Sequence, residues 1–222
     1  MPNRRQMIGA ASALVAAGLV AKPALSIAQA GGPQKPKDPV QASTSHSLSP
    51  AVPPALPAGI IGLARQALDR HRDKVRNLDT LAVADFSTHS SKPRFHLVDL
   101  NSGAVRSFLV AHGKGSDPAH TGWLKSFSNE PGSEATSQGA YLTGDPYVGK
   151  HGLSRRLTGL DSDNSNALDR GIVIHSAWYV SEDMTRGQGI GRSQGCFALS
   201  AQDHATIMDA LGAGCLLVAV KA

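Results

Sequence analysis

The chain is 222 residues long, with 22 Lys and Arg against 17 Asp and Glu for a formal net charge of +5. That length accommodates one domain with a substantial core and is short for two. Three of the cations fall in Met1–Ala30, which carries no acid, and no Lys/Arg stripe interleaved with aromatics follows, so nucleic-acid binding is excluded.

Residues 1–30 have the layout of an export signal. Arg4 and Arg5 precede an apolar run, Met7–Val20, that is too short and too rich in Ala and Gly for a membrane span. Ala28-Gln29-Ala30 offers a small-residue cleavage site. Asn3–Gly9 resembles a twin-arginine signal, and an ordinary secretory signal with two arginines is the alternative. Either exports the protein to the periplasm or cell-wall space, with no stable membrane span after signal cleavage. Residues 31–57, rich in Pro, Ser, Gln and Ala, read as a disordered linker, and residues 58–222 as the domain.

Ile60, Ile61, Leu63, Ala64, Ala67, Leu68 and Val75 recur at helical spacing and predict an amphipathic helix over 58–76. Alternation predicts strands at Leu81–Phe86, Arg94–Asp99 and Ala104–Ala111, the last two joined by the turn signal Asn101-Ser102-Gly103. The Gly- and Ser-rich stretch 113–139 is too long for an idle loop and reads as a cleft wall. Further strands fit Gly139–Gly144 and Arg170–His175. Ser200 can N-cap a helix to Leu211, and Gly214–Val220 closes the sheet. The expected fold is mainly β with peripheral helices, a β-rich α+β domain.

The chemistry concentrates near the C-terminus. His175 ends the apolar run from Gly171, and Cys196 follows the tight turn Ser193-Gln194-Gly195, 21 positions later. A thiol needs an imidazole or cationic partner to become a useful nucleophile. Cys196 is therefore the candidate nucleophile and His175 the acid/base. Backbone N–H groups of Gln194, Gly195 and Cys196 can form an oxyanion hole, with glycine permitting close approach. Arg192 adds positive charge, Ser193 belongs to the turn, and a backbone carbonyl near Ser176 can orient the imidazole. The competing reading is a Cys196–Cys215 disulfide in an exported protein. Against it, Cys215 sits in an apolar run and reads as a small core residue.

His175, a spacer of 17 residues, and Ser193-x-Gly195-Cys196 resemble the signature of the L,D-transpeptidase family with its YkuD-type catalytic domain. The segments Val110–Ser116, Phe127–Ser133 and Gly144–Ser154 resemble its divergent murein L,D-transpeptidase subgroup. The resemblance covers roughly Leu81–Lys221 and implies the family's β-sandwich or barrel. It also implies a cysteine that attacks the bond after the diaminoacid of a peptidoglycan stem, forms a thioester, and passes the acyl group to an amine. Acylation of Cys196 by carbapenems would follow. The chain departs from the family where Gln194 replaces a second histidine and where Ala198 replaces an Asn or Arg.

Lys150, His151 and Arg155 follow a Gly-rich turn and are candidates for binding stem carboxylates; a solvated basic loop is the plain alternative. Tyr141, Tyr147 and Trp178 are candidates for the cleft wall, against ordinary packing. His204, in the last helix, is expected to be exposed. The nine histidines show no compact ligand spacing, so no metal and no cofactor is expected. These readings converge on an exported cysteine acyltransferase whose partner is the peptidoglycan stem peptide. An L,D-carboxypeptidase or endopeptidase using the same site, or a non-catalytic wall-binding domain holding the disulfide, are the alternatives.

Overall fold

The computed structural model describes residues 58–187 and 189–221, so the export signal and linker read in residues 1–57 lie outside it. Helix α1 covers Ala58–Arg70, shorter than the predicted span because the chain turns at His71–Lys74. Nine strands follow: β1 (Thr80–Asp85), β2 (Phe95–Asp99), β3 (Val105–Phe108), β4 (Val110–Ala111), β5 (Gly139–Gly149), β6 (Gly152–Gly159), β7 (Val173–Ser176), β8 (Phe197–Leu199) and β9 (Leu216–Val220). Helix α2, Ala201–Ala210, lies between β8 and β9. Its N-cap is Ser200, whose Oγ accepts from the Asp203 N–H at 3.0 Å, as the sequence predicts. Among the described residues no helix is long and apolar enough to cross a membrane.

The strands form one mixed sheet in the order β3-β2-β1-β9-β5-β6-β7-β8-β4. Its first and last members, β3 and β4, are separated in the chain by Leu109 alone. The sheet must therefore curl until its two edges meet, and the run predicted as one strand over 104–111 supplies both edges. Its first half pairs with β2 and its second with β8. The long hairpin β5–β6 extends well beyond the predicted 139–144, with a register shift between Thr143 and Pro146. Strand β6 had no sequence prediction, because it buries the polar Ser154 and Arg155 and exposes Leu153, so no apolar alternation marks it.

Apolar side chains divide into three clusters. One fills the sheet's interior between Phe86, Phe95, Tyr141, Ile174, Phe197 and α2. A second packs α1 through Ile60, Ala64 and Ala67 onto β1 and β9. The third, with Leu109, Ala111, Ala177, Val180, Ile190 and Ala198, lies beneath the segment that follows β7. Burial of these faces is the main stabilising contribution to the fold.

Candidate active site

Parallel pairing of β7 with β8 places Ile174 opposite Phe197 and His175 opposite Ala198. Side chains two apart on a strand share a face, so Cys196 lies on the same face as Ala198 and His175. Strand spacing and rise put the two Cα atoms about 8 Å apart, within side-chain reach. Both residues line one cleft of about 290 Å³, together with Tyr147, Lys150, His151, Arg170 and Arg192. The two elements that the sequence singles out are thus brought together by a strand pair.

His175 is buried and its Nδ1 lies 2.8 Å from the carbonyl oxygen of Ser176. A carbonyl only accepts, so the proton sits on Nδ1 and the neutral ring presents a lone pair at Nε2. Burial depresses the imidazole's pKa to about 4, and His151, His204 and Lys150 push the same way against the Ser176 carbonyl. Burial raises the Cys196 thiol, while the Val173 N–H, Lys150 and Arg170 pull it down. The resting pair is a neutral thiol and a neutral imidazole.

The turn before Cys196 is held from several sides. Ser193 Oγ donates to the Cys196 carbonyl at 2.7 Å and accepts from the Gly195 N–H at 3.1 Å. The Gly195 N–H is thus already hydrogen-bonded within the turn. Glycine is needed at 195 because φ is +113° and a Cβ would stand 2.7 Å from the Ala135 carbonyl oxygen. Beneath the turn, the Ser193 N–H donates to the His112 carbonyl at 2.9 Å, and Lys114 N–H donates to the Ser193 carbonyl at 2.8 Å.

His112 itself belongs to a buried chain of three groups. Arg94 Nη2 donates to His112 Nδ1 at 2.7 Å, and His112 Nε2 stands 3.5 Å from Asp117 Oδ2. Arginine can only donate, so His112 carries its proton on Nε2, toward the carboxylate. Burial and then Arg94 hold this imidazole's pKa down at about 3.

The predicted site residues separate into two groups. Lys150, His151, Arg192, Ser193 and Gln194 line the cleft with the Cys–His pair. The His151 ring stacks on His175 with centroids 4.1 Å apart. Arg192 Nη1 donates to the carbonyls of Asp117 and Pro118. Gln194 Nε2 donates to Glu134 Oε1 at 3.0 Å, and Glu134 also pairs with Lys114 at 2.8 Å. Ser176 contributes its backbone carbonyl. Tyr147, also a candidate, lines the cleft under the Arg156 guanidinium.

Three candidates lie elsewhere, and one histidine is buried against expectation. Arg155 pairs with Ile174 across β6–β7, so it faces the interior rather than the cleft, and its Nη atoms donate to the carbonyls of Gly144 and Met208. Tyr141 is fully buried, its hydroxyl donating to the Ser137 carbonyl and its ring edge-on to Phe197. Trp178 is 82% exposed and lines a different cleft. His204 is buried on α2, not exposed.

The structure adds residues that the sequence reading missed. Arg170 lines the cleft and donates to the Ser128 carbonyl, Ser133 Oγ, the Ala135 carbonyl and Ser137 Oγ, clamping the irregular segment 128–137 against the turn. Glu134 adopts a left-handed φ of +53° within that segment. A run of small polar residues followed by a lone Arg before Gly171 was the available signal. Both cysteines are free, and β5, β6 and β7 separate β8 from β9 in the sheet, which overturns the Cys196–Cys215 disulfide. Among the described residues no group of three or more His, Cys, Asp or Glu is placed to hold a metal ion.

The profile of the YkuD_2 family, described as the L,D-transpeptidase catalytic domain, matches residues 54–220. No curated protein matches the chain. Among solved structures it is similar to an L,D-transpeptidase from Mycobacterium tuberculosis at 15% identity and a TM-score of 0.41, over 64% of this chain and 58% of that one. It is also similar to L,D-transpeptidase 3 from the same organism, solved with a faropenem-derived adduct, at 15% identity and 0.42, over 64% and 60%. The helical cell shape determining protein Pgp2 from Campylobacter jejuni matches at 15% and 0.42, over 71% and 55%. The chain thus spans less than two thirds of the length of each of these.

Proposed function

Because the chain belongs to the L,D-transpeptidase catalytic domain family, we propose that it is an exported cysteine acyltransferase acting on peptidoglycan stem peptides. The observation that carries this reading is the shared cleft in which Cys196 lies on the same face as an imidazole whose Nδ1 is fixed by Ser176. His175 Nε2 takes the Sγ proton as the sulfur attacks the carbonyl carbon after the diaminoacid. The tetrahedral oxyanion receives the N–H groups of Gln194 and Cys196. The C–N bond then breaks, and the imidazolium returns its proton to the departing amine, leaving a thioester on Cys196. An acceptor amine attacks that thioester, loses its proton to His175, and the thiol is restored. Starting from a neutral pair, the site generates thiolate only as substrate is attacked.

The cleft's charge supports an anionic substrate. Among the described residues Lys150, Arg170 and Arg192 line it and no carboxylate does, which favours the free acid groups of a peptide stem. Gln194, at the family's usual histidine position, keeps its backbone donor but brings no cationic ring, so proton transfer falls to His175.

The test is mass spectrometry of the full chain after incubation with a tetrapeptide stem. A tripeptide thioester on Cys196, absent from Cys196→Ala, is the expected result; no adduct with any tetrapeptide stem refutes it. The released product distinguishes transfer to an amine from hydrolysis by water.

A further inference from the structure

A second, wider cleft lies away from the thiol. It encloses about 490 Å³ at the C-terminal ends of β7 and β8, between Ala177 and Ser200. Trp178 stands in its wall with 82% of its surface exposed, next to the apolar floor of Leu109 and Val180. Glu182, Asp183, Gln202 and Asp203 stand on its rim, and among the described residues neither Lys nor Arg lines it. Asp203 is committed to Ser200 Oγ at 2.7 Å, whereas Glu182 and Gln202 are exposed. This is the reverse of the cysteine cleft, which among the described residues holds three cations and no acid.

An open indole face beside carboxylate and amide acceptors suits a neutral polyhydroxylated ligand. The C–H face of a sugar ring stacks on the indole, and its hydroxyls donate to Glu182 and Gln202. Carboxylates of a stem peptide are repelled from the same groove. The spacing leaves a gap of about 2–3 Å for the sugar ring itself to cross. Cys196 and Ser200 are four residues apart along an extended strand, about 13 Å. Three extended stem residues, from the attacked carbonyl back to the sugar junction, reach about 10–11 Å.

We infer that the Trp178 groove binds the glycan strand that carries the stem peptide, while the stem itself enters the cysteine cleft; this rests on the acyl-transfer reading above. The substrate is then read at two subsites of opposite electrostatic character, one for the acid-bearing peptide and one for the neutral sugar.

Two measurements on the full chain test this. The first is tryptophan emission of a Trp123→Phe variant, in which Trp178 is the remaining fluorophore, titrated with an N-acetylglucosamine tetramer. Quenching by the sugar is expected; quenching by lysine amide but not by the sugar overturns the inference in favour of a cation site. The second is the ratio of kcat/KM for a disaccharide-linked tetrapeptide over the free tetrapeptide. It is expected to be about tenfold, falling toward one in Trp178→Ala, as for loss of an aromatic anchor. A ratio of one in the unsubstituted protein overturns the inference. Sugar quenching without a thioester from either substrate supports the groove and refutes the acyl-transfer reading, so the two failures are distinct.

Discussion

The imidazole of His151 lies 4.1 Å from that of His175 and is inclined to it by only 19°. Two rings so placed shield each other from water, and any charge on one opposes charge on the other. His151 is thus part of the reason that His175 stays neutral to about pH 4. In the unsubstituted protein the acid limb of kcat/KM is expected near that value, well below the ordinary histidine value of about 6.5. His151→Ala removes both the shield and the opposing charge, so the acid limb should move upward. A pH–rate profile of the two proteins checks this, and coincident acid limbs would refute it.

Neutral buried imidazoles also govern acid stability. His175 is held near 4 and His112 near 3 in the folded chain, against about 6.5 when unfolded. Below 6.5 the unfolded chain takes up protons that the folded chain does not, so their stabilising contribution is present above 6.5 and is lost as pH falls toward the folded values. Each adds a slope of up to roughly 1.4 kcal/mol per pH unit. Urea midpoints should therefore fall steadily from pH 7 to pH 5. A flat midpoint over that interval would contradict the neutral assignment.

Gly195→Ala is expected to disable the site through the backbone. The new methyl group meets the Ala135 carbonyl oxygen at 2.7 Å and must hold φ at +113°. The strain is worth about 1–3 kcal/mol. Any relief moves the Cys196 turn away from His175, so kcat/KM should fall by at least about a hundredfold with a smaller drop in melting temperature. Wild-type activity in this variant would show that the turn tolerates another conformation.

Arg170→Lys tests the clamp on the segment 128–137. The guanidinium fork reaches four oxygens of that segment, and an ammonium on a single stem cannot serve them together. A loss of about 2–3 kcal/mol is expected from the unmade charged bonds. Hydrogen exchange should quicken across 128–137 before the rest of the sheet responds. Uniform exchange across the fold would place the clamp elsewhere.

Arg155→Met separates structure from binding at a residue whose type suggested substrate recognition. Its bonds to the carbonyls of Gly144 and Met208 tie the β5–β6 hairpin to α2. Stability should drop by about 1–3 kcal/mol, while KM for a stem peptide stays the same. A raised KM with intact stability would return Arg155 to the cleft.

The contrast between Arg155 and Lys150 shows what sequence could and could not reveal. Both sit in one basic run, but strand alternation turns Arg155 toward Ile174 and the interior, and the strand β6 that imposes this parity was not foreseen. His175 and Cys196 were readable because an apolar run and a glycine turn mark them locally. Arg170 was not, since its role depends on four partners 33 to 42 positions away in the chain. The Ser200 cap of α2 and most strand cores followed from local pattern. The closure of the sheet did not, because it depends on β3 and β4 parting company at Leu109 to serve opposite edges. Tyr141 illustrates the same limit: its polar hydroxyl suggested a wall, but one carbonyl at Ser137 suffices to bury it.

Helix α1 sets how far the amino-terminal end can be trimmed. Ile60, Ala64 and Ala67 cover Leu81, Val83, Leu216 and Val218, side chains from two neighbouring parallel strands. A protease cut within Ala58–Arg70 would strip that cover and leave a contiguous greasy sheet face open to water. Such a fragment retains every cleft residue described above and still loses solubility, because self-association competes with folding once that face is bare. Shelf life and yield of shortened forms would then change abruptly across this helix, independently of anything done at Cys196.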